Sequence, residues 1–235
     1  MIKYHGSPIS PHSSRALMAG KNFCVSYANP NDADWCMAHG QSVMWDNGAF
    51  SFRDKGGLDP VAFAKWVEPR LGHPHWAVVP DVIGGEVDEQ RALIAQWPHP
   101  RALSAPVWHM GLSIDWLLEM ADEWPRICFG STREYWQVGS PAWARRADMA
   151  FNAMERRGLR PWVHMLRGLS LCGDKWPFAS ADSTNVALNF KGSKSRGTPA
   201  QCPERMARVI DGRNSPIRWT LAAEQSDLFL QEKRA

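Results

Sequence analysis

The residues best suited to chemistry in this sequence are aspartates that directly follow short runs of apolar or small side chains. Asp182 ends one such run, residues 178–182. It is followed by hydroxyl and amide side chains, Ser183, Thr184 and Asn185. Groups of this kind can hydrogen-bond a carboxylate, hold its rotamer and keep it ionised, as a nucleophile requires. The alternative is that Asp182 only caps the turn or helix that follows it, a common position for aspartate.

Two further aspartates occupy similar positions. Asp46 precedes Asn47 and Gly48, and Asp81 is followed by a glycine pair at residues 84–85. Glycine lets the backbone turn tightly beside a carboxylate or approach a flat ligand closely. Three carboxylates gathered in one place would suffice for covalent glycosyl chemistry. One would attack an anomeric carbon, one would move protons, and one would pair with N1 and the exocyclic amine of a purine. Their crowding should raise the pKa of at least one of them.

Other residues at the ends of the same runs are candidates for substrate binding. His109 and His164 could act as bases or as hydrogen-bond partners of a nucleobase, although each could equally make a satisfied structural hydrogen bond. Gly130 and the following residue offer backbone groups to a planar heterocycle, and an aromatic side chain could stack on it. The complete set of predicted substrate-binding residues is Asp81, Trp108, His109, Gly130, Ser131, His164, Arg167 and Asn185.

Length and composition limit the possible classes of protein. A chain of 235 residues with 44% hydrophobic residues can form one large core, and its net charge of +3 neither demands nor excludes a nucleic-acid partner. The five cysteines form no C-x-x-C pair, so the sequence signals neither a zinc ribbon nor a disulfide framework, and we expect no metal and no cofactor. The N-terminus lacks an apolar signal core and no run is long enough to span a membrane. A cytoplasmic location in a bacterial host cell is therefore expected.

The candidate residues must be positioned by short strands that alternate with helices. Eight apolar runs predict strands at residues 2–4, 23–26, 43–46, 76–80, 106–109, 127–130, 162–166 and 178–182. Helices are predicted at residues 59–70, 86–96, 113–123, 141–157 and 203–210, with short ones at 13–20 and 32–39. This alternation favours an α/β fold of the TIM-type (β/α)8 barrel class, although a doubly wound open sheet would give a similar pattern. We predict one barrel domain over residues 1–212 and a C-terminal tail over residues 213–235.

The order of the motifs resembles the tRNA-guanine transglycosylase superfamily, in particular its DNA-modifying branch of phage and prophage 7-deazaguanine transglycosylases. The matching segments are MWDNGAF at 44–50, VPD at 79–81, VWH at 107–109, CFG at 128–130 and DSTNVA at 182–187. The resemblance covers about residues 4–190. It implies that Asp182 is the nucleophile, that Asp46 handles the proton, and that Asp81 recognises the base beside Gly130. His109 falls near the position of the family's base-recognising glutamine.

The resemblance also implies a reaction. Asp182 would attack C1′ of a guanine nucleotide and expel guanine, and a 7-deazaguanine would then enter while Asp46 gives or takes the proton. The nucleotide would have to be flipped out of a stack or presented in a single strand. No segment after Asp182 matches the zinc-binding C-x-C-x-x-C pattern of the family, and the chain is short for a tRNA enzyme.

The C-terminal tail bears on the choice between DNA and tRNA. Gln225, Leu228 and Phe229 form a Gln-x-x-Leu-Phe peptide similar to those by which bacterial replication proteins bind the sliding clamp. Such a peptide would place the enzyme on replicating DNA, whereas a Leu-Phe pair could also pack back onto the domain. DNA is therefore the expected polymer and tRNA the alternative.

Other function classes stay open. A metal-dependent barrel hydrolase could use the same aspartates and histidines, although no H-x-H spacing is present. The segment YHGS at residues 4–7 faintly suggests an ADP-ribosyl-type transferase, and a non-catalytic nucleic-acid-binding module is a further possibility.

Overall fold

The sheet at the centre of the protein consists entirely of parallel strands. The computed structural model describes residues 1–54, 56–191 and 202–222. Its strands are β1 (Ile2–Gly6), β2 (Asn22–Ser26), β3 (Ser42–Asp46), β4 (Trp76–Val78), β5 (Ser104–Ala105), β6 (Val107–His109), β7 (Arg126–Gly130), β8 (Trp162–Met165) and β9 (Ser180–Ser183). Every strand pair in the sheet is parallel. Parallel strands buried on both faces are typical of α/β domains, in which helices cover the sheet.

The sheet curls into a nearly closed barrel. The strand order is β5-β4-β3-β2-β1-β9-β8-β7-β6, so the two strands at its ends, β5 and β6, are neighbours in the chain. Only Pro106 separates them. The carbonyl of Ala105 accepts a hydrogen bond from Val79 N at 2.9 Å, and the carbonyl of Pro106 accepts one from Cys128 N at 2.8 Å. Because proline has no N–H to donate, the ladder is interrupted at this residue and the strand divides in two.

Helices follow most strands. In the described residues they are α1 (His12–Ala16), α2 (Ala33–His39), α3 (Ala49–Phe52), α4 (Pro60–Val67), α5 (Val87–Gln96), α6 (Ile114–Glu123), α7 (Pro141–Arg156), α8 (Asn185–Asn189) and α9 (Pro203–Asp211). Side-chain caps begin three of the longer ones. Asp59 accepts from two backbone N–H groups of α4, and Ser113 and Ser140 each accept one from α6 and α7.

Alternation along the strands divides the core into an inner and an outer part. The side chains that fill the barrel interior are Tyr4, Cys24, Met44, Trp76, Val78, Ala105, Val107 and Cys128. The intervening residues pack against the helices in two larger apolar clusters. This period of two is the expected geometry of a strand, and it decides which residues near a strand end can reach the interior.

The predicted elements are largely confirmed. Each of the eight predicted runs contains a strand, and the five longer helices are present with ends shifted by a few residues. The short helices at residues 13–20 and 32–39 exist as α1 and α2. Two helices of four and five residues, α3 and α8, were not predicted. The open doubly wound alternative is not the arrangement found, since the sheet is nearly closed.

The chain after α9 runs back over the domain. Ser215 is buried, and the indole N–H of Trp219 donates to the side chain of Asn152 on α7 at 2.8 Å. The same amide group exchanges two hydrogen bonds with the backbone of Ala222. Trp219 and Ala222 therefore pack against α7, whereas Ser215 is bonded to Leu171 and Gly173. The predicted clamp peptide at Gln225, Leu228 and Phe229 lies outside the described residues.

Across the described ranges, no helix combines the length and apolar character needed to cross a membrane.

Candidate functional site

A cavity of about 890 Å³ opens where the carboxyl ends of the strands converge. We refer to it as the aspartate cavity, because all three predicted aspartates line it. The predicted residues on its wall are Asp46, Asp81, His109, Gly130, Ser131, Arg167 and Asp182. They come from the ends of β3, β4, β6, β7, β8 and β9 or from the residues that follow these strands. The curvature of the sheet thus gathers side chains that are far apart in sequence.

The proton affinity of Asp46 is strongly altered by its surroundings. Burial raises the pKa of its carboxyl group to about 7, and repulsion from Asp182 and Asp81 adds to the increase. Hydrogen bonds from the side chain of Ser26 and from Gly48 N, the latter 3.2 Å from Oδ2, act in the opposite direction. A carboxyl group with a pKa near 7 can both give and take a proton near neutral pH, as general acid–base catalysis requires.

Asp81 is held by Asn47, the residue that directly follows Asp46. The amide nitrogen of Asn47 donates to Oδ1 of Asp81 at 2.7 Å and to the carbonyl of Val79 at 2.8 Å. Nε2 of His109 lies 3.0 Å from Oδ2 of Asp81. Neither ring nitrogen of His109 makes a hydrogen bond within the described part of the chain, although the side chain is buried. The His109–Asp81 pair therefore retains hydrogen-bonding capacity for a ligand.

Asp182 is fixed through one of its two carboxylate oxygens. Oδ1 accepts a hydrogen bond from Arg167 N at 2.8 Å and lies 3.1 Å from Nε2 of His164. Oδ2 accepts no hydrogen bond from the described residues, and the side chain is about 10% exposed at the cavity wall. The N-cap of α8 is Thr184, and the hydrogen bonds of Asp182 run to β8 and its following turn. This is the arrangement of a positioned carboxylate rather than of a helix cap.

Arg167 contributes both backbone and side chain to the cavity. It has a φ of 58°, a left-handed conformation that costs energy in any residue with a Cβ atom. This conformation lets its N–H group donate to Asp182, while its guanidinium group donates to the carbonyl of Ser131 at 3.1 Å. The guanidinium carbon also lies 5.0 Å from the ring centroid of Phe50. The side chain therefore bridges the cavity wall from β8 to β7.

Gly130 lets the side chains of Val107 and His109 pack directly against its backbone. A Cβ atom at this position would lie 2.9 Å from Cγ1 of Val107 and 3.3 Å from Nδ1 of His109. Either contact would force the neighbouring side chain to move. The next residue, Ser131, is buried, and its hydroxyl group accepts from the indole of Trp143 at 3.0 Å. Its side chain is thus directed to the outer layer, and its carbonyl is the group bound by the guanidinium of Arg167.

Three predicted residues do not line the aspartate cavity. Trp108 is fully buried in the outer layer, where its indole donates to the carbonyl of Ser113 at 3.0 Å. Alternation along β6 is the reason, because the residues on either side of it face the cavity. Asn185 is exposed at the start of α8, with its side chain bonded to Asn189. His164 is fully buried behind the cavity wall, where it contacts the lining residue Asp182.

Several residues of the site were not predicted. Ser26 ends β2 and hydrogen-bonds Asp46, so its position at a strand end was the signal that could have identified it. Asn47 supports Asp81 and was recognised only as a turn residue. Four exposed side chains surround the opening, and we call this group the cavity rim: Phe50, Arg53, Arg133 and Trp136. They lie in α3, in the residue after it, and in the 3-10 turn Arg133–Tyr135 with its following residue, and no periodic pattern marks these segments.

The charges at the rim are partly balanced. Arg53 pairs with Asp54 at 3.0 Å, and Arg133 pairs with Glu86. The ring of Phe50 lies between two guanidinium groups, those of Arg53 and Arg167, at 4.2 and 5.0 Å from its centroid. Aromatic faces and arginines at a cavity opening are suited to contact with bases and phosphates.

No group of three or more histidine, cysteine, aspartate or glutamate side chains within residues 1–54, 56–191 and 202–222 is arranged to hold a metal ion. The five cysteines are unpaired, and all but Cys202 are buried.

A scan against models of protein families finds no match to this chain, and a search of the curated proteins finds no significant similarity to any of them.

Proposed function

We propose that this protein is a base-exchange transglycosylase that replaces guanine in DNA with a 7-deazaguanine derivative through a covalent aspartyl-glycosyl intermediate. The observation that carries the proposal is the aspartate cavity, in which three carboxylates have three different environments. Asp182 is held through one oxygen, Asp46 has a pKa near 7, and Asp81 pairs with His109. Exchange of a base needs these three functions: a nucleophile, a proton carrier and a base-binding group.

The proposal includes the fold. If β5 and β6 are counted as one strand interrupted at Pro106, the sheet has eight strands in cyclic chain order, each leading towards a helix or turn on the outside. That is the organisation of a (β/α)8 barrel, whose active sites lie at the carboxyl ends of the strands. The aspartate cavity lies at that end, which supports the assignment.

In the proposed reaction, Oδ2 of Asp182 attacks C1′ of the nucleotide and the bond from C1′ to the base breaks. Asp46 donates a proton to the departing guanine and later takes one from the incoming base, which then displaces Asp182 from C1′. The pKa of about 7 makes both protonation states of Asp46 accessible at neutral pH. No cofactor takes part in this scheme.

The base would lie against Asp81, His109 and Gly130. The free hydrogen-bonding capacity of the Asp81–His109 pair suits the edge of a purine, and Gly130 offers its backbone to the ring at the cavity wall. A volume of about 890 Å³ is large enough for a whole nucleotide. A base in a duplex would have to be flipped into the cavity at a cost of a few kcal/mol.

DNA, rather than tRNA, is proposed as the polymer on sequence grounds. The supporting features are the resemblance to the DNA-modifying branch and the clamp-like peptide at Gln225, Leu228 and Phe229. A host-cell cytoplasm, in which such a protein would meet replicating DNA, belongs to the same proposal.

The test is guanine exchange. The protein is incubated with radiolabelled guanine and, separately, single-stranded DNA, duplex DNA or tRNA, and label in the polymer is measured. We expect label to enter DNA with the wild type, and Asp182→Asn to lower the rate by at least about 10³-fold because the nucleophile is lost. Asp122→Asn, an exposed aspartate on α6, is the matched control and should retain the wild-type rate.

Each other outcome has a definite meaning. Label that enters tRNA alone would replace DNA with tRNA in the proposal. Label in no polymer, with all three proteins folded by circular dichroism, would overturn base exchange. Equal rates for the wild type and Asp182→Asn would overturn the covalent mechanism.

A further inference from the structure

We propose that His164 is a positioning residue for the nucleophile, held in its Nε2–H tautomer by Ser180 and Trp162. The inference deepens the proposed function, because its catalytic consequence rests on Asp182 being the attacking group. The hydrogen-bond chain on which it depends is a property of the folded protein alone. The chain runs from Trp162 through Ser180 and His164 to Asp182, and every link joins β8 to β9.

The protons in this chain can be placed from its geometry. The indole nitrogen of Trp162 can only donate, so Oγ of Ser180, 2.8 Å away, must accept from it. The same Oγ lies 2.8 Å from Nδ1 of His164. Ser180 is fully buried, and no other acceptor for its hydroxyl proton lies within hydrogen-bond distance in the described residues. Ser180 therefore donates to Nδ1 of His164, and an Nδ1 that accepts carries no proton.

The proton of the neutral imidazole must then be on Nε2. Nε2 lies 3.1 Å from Oδ1 of Asp182, so the ring donates to the carboxylate. If His164 carried its proton on Nδ1 instead, the ring would face the carboxylate with a lone pair, and the hydroxyl proton of Ser180 would lose its acceptor. The hydroxyl group of Ser180 thus stabilises the Nε2–H tautomer of His164, which is the one that can donate to Asp182.

The ring is also fixed in orientation. His164 is fully buried, and the rings of Tyr4 and Trp76 pack edge-on against it at centroid distances of 5.9 and 5.2 Å. These two residues lie in the barrel interior directly below the aspartate cavity. Imidazole rotation would break both hydrogen bonds of the ring and meet these aromatic edges.

The result is a carboxylate with two distinguishable oxygens. The Nε2–H of His164 and the N–H of Arg167 both donate to Oδ1 of Asp182, from the side chain and the backbone of the same strand end. Oδ2 remains for attack on C1′. Loss of the His164 donor would leave the Arg167 N–H group as the remaining described donor to Oδ1, so the carboxylate would turn more easily and fewer molecules would have an oxygen aligned for attack. Substrate binding, which uses other residues, should change little.

The first measurement requires no activity. The protein is labelled with ¹⁵N-histidine, and the protonation of each ring nitrogen is read from long-range ¹H–¹⁵N spectra. The His164 signals are assigned among the eight histidines as those lost in His164→Gln. We expect Nε2 protonated and Nδ1 unprotonated in the wild type, and a mixture of tautomers in Ser180→Ala. A wild-type His164 protonated on Nδ1, or on both nitrogens, would overturn the inference.

The second measurement distinguishes a positioning role of His164 from a contribution to packing alone. Glutamine can place an N–H group where Nε2 of the imidazole lies, whereas methionine fills a similar volume without a donor. On the polymer that accepts guanine, we expect His164→Met to lower kcat by about 30-fold or more with KM within twofold of the wild type, and His164→Gln to recover at least about tenfold of that loss. Thermal unfolding of both variants checks the fold.

Different results would overturn the positioning role of His164 and the base-exchange activity. Equal kcat values for wild type and His164→Met, or equal losses in the Met and Gln variants, would overturn the positioning role while base exchange stands. If no polymer is labelled by the wild type, base exchange fails, and the tautomer measurement still decides whether the chain from Trp162 to Asp182 exists.

Discussion

At the scale of single residues, the three aspartates differ in how their charge is compensated. Oδ1 of Asp182 accepts from two donors, and Asp81 is paired with an amide and an imidazole. Asp46 accepts hydrogen bonds from Ser26 and Gly48, but burial and repulsion from two neighbouring carboxylates outweigh their effect on its pKa. The pKa of about 7 places the carboxyl group of Asp46 close to proton exchange at neutral pH. Chemistry that requires a fixed anion and a mobile proton can therefore be divided between two residues of the same type.

The raised pKa of Asp46 predicts a pH-dependent cost in stability. Because the folded-state pKa, about 7, exceeds the unfolded value near 3.8, the folded protein holds more protons between these values and loses stability as pH rises through them. Asp46→Asn removes this loss, so the variant should gain up to about 4 kcal/mol relative to wild type between pH 4 and pH 8. Urea unfolding at several pH values measures the difference. A difference that is constant with pH would contradict the raised pKa.

The buried amide of Asn47 is predicted to contribute more to the free energy of unfolding than an ordinary surface hydrogen bond does. It is buried, bonds Asp81 and the carbonyl of Val79, and accepts from Ala49 N at 2.8 Å. Asn47→Ala leaves these buried groups without partners, and we expect it to lower the free energy of unfolding by about 1–3 kcal/mol. It should also raise KM for the incoming base, because Asp81 loses its support. Denaturant unfolding and exchange kinetics provide the two measurements.

A surface asparagine serves as the control for that comparison. Asn189 makes its side-chain hydrogen bond at an exposed position on α8, so Asn189→Ala should cost less than about 0.5 kcal/mol. Similar losses in the two variants would show that the buried network around Asp81 does not contribute as described.

At the scale of elements, the connection between β3 and α3 forms one functional unit. Three consecutive residues end the strand, support the neighbouring aspartate and begin the helix, in the order Asp46, Asn47 and Gly48. Gly48 has a φ of 76°, and its N–H group donates to Asp46. The short helix α3 then carries Phe50 to the cavity rim. A single left-handed residue thus fixes the direction of both the carboxylate and the aromatic ring.

Two glycine variants test this connection. A Cβ atom at Gly48 would lie 3.0 Å from Cβ and N of Ala28, whereas one at Gly158, with a φ of 69°, would meet nothing within 4 Å. Gly158→Ala should therefore cost only the left-handed strain of about 1–2 kcal/mol, and Gly48→Ala at least about 1 kcal/mol more. Only Gly48→Ala should also slow guanine exchange. Thermal unfolding and exchange rates decide this, and equal effects of the two variants would contradict it.

Strands and helices could be predicted where their own residues form a recognisable local pattern. Strands buried on both faces read as continuous apolar runs, and capping residues such as Ser113 and Ser140 marked the longer helices. Helix α3 has only four residues and begins after a left-handed glycine, so it has no periodic pattern of its own. The proline at position 106 interrupts the strand locally, but the closure of the sheet that brings β5 and β6 to its two ends depends on its curvature, which the local sequence does not contain.

The site was predictable where a strand end alone decided the placement. Asp46, Asp81, Asp182 and His109 follow this rule and line one cavity. Trp108 could have been excluded, because alternation sends it to the face opposite His109. The register that brings residues of β8 and β9 together is tertiary information, so the hydrogen-bond chain between these strands could not be predicted.

At the scale of the whole molecule, the cavity rim is the surface on which a polymer would lie. Trp136 is 68% exposed and Phe50 is 49% exposed, although large aromatic side chains are usually largely buried. Both lie at the opening of the aspartate cavity. A nucleotide turned into the cavity would leave its neighbours along the strand at the level of these rings, where stacking does not depend on sequence.

Removal of one ring should therefore weaken binding of a single strand. In an Asp182→Asn background, which prevents turnover, Trp136→Ala should lower the affinity for a fluorescent single-stranded oligonucleotide by about 5- to 100-fold, and Trp136→Phe by less. Fluorescence anisotropy measures the affinity. Ile217→Ala removes a more exposed apolar side chain, 96% exposed, outside the cavity lining and should have no effect. An unchanged affinity in Trp136→Ala would exclude the rim as the binding surface.

The filled interior of the barrel has a kinetic consequence. Below the aspartate cavity the space between the strands is occupied by side chains such as Tyr4, Met44 and Trp76, and the opening used by substrates lies at the rim. In the proposed exchange, the expelled guanine would have to leave by the route through which the replacement base arrives. Release of the first product would then precede entry of the second substrate, as in a ping-pong sequence, and free guanine would compete directly with the incoming base for the modified enzyme.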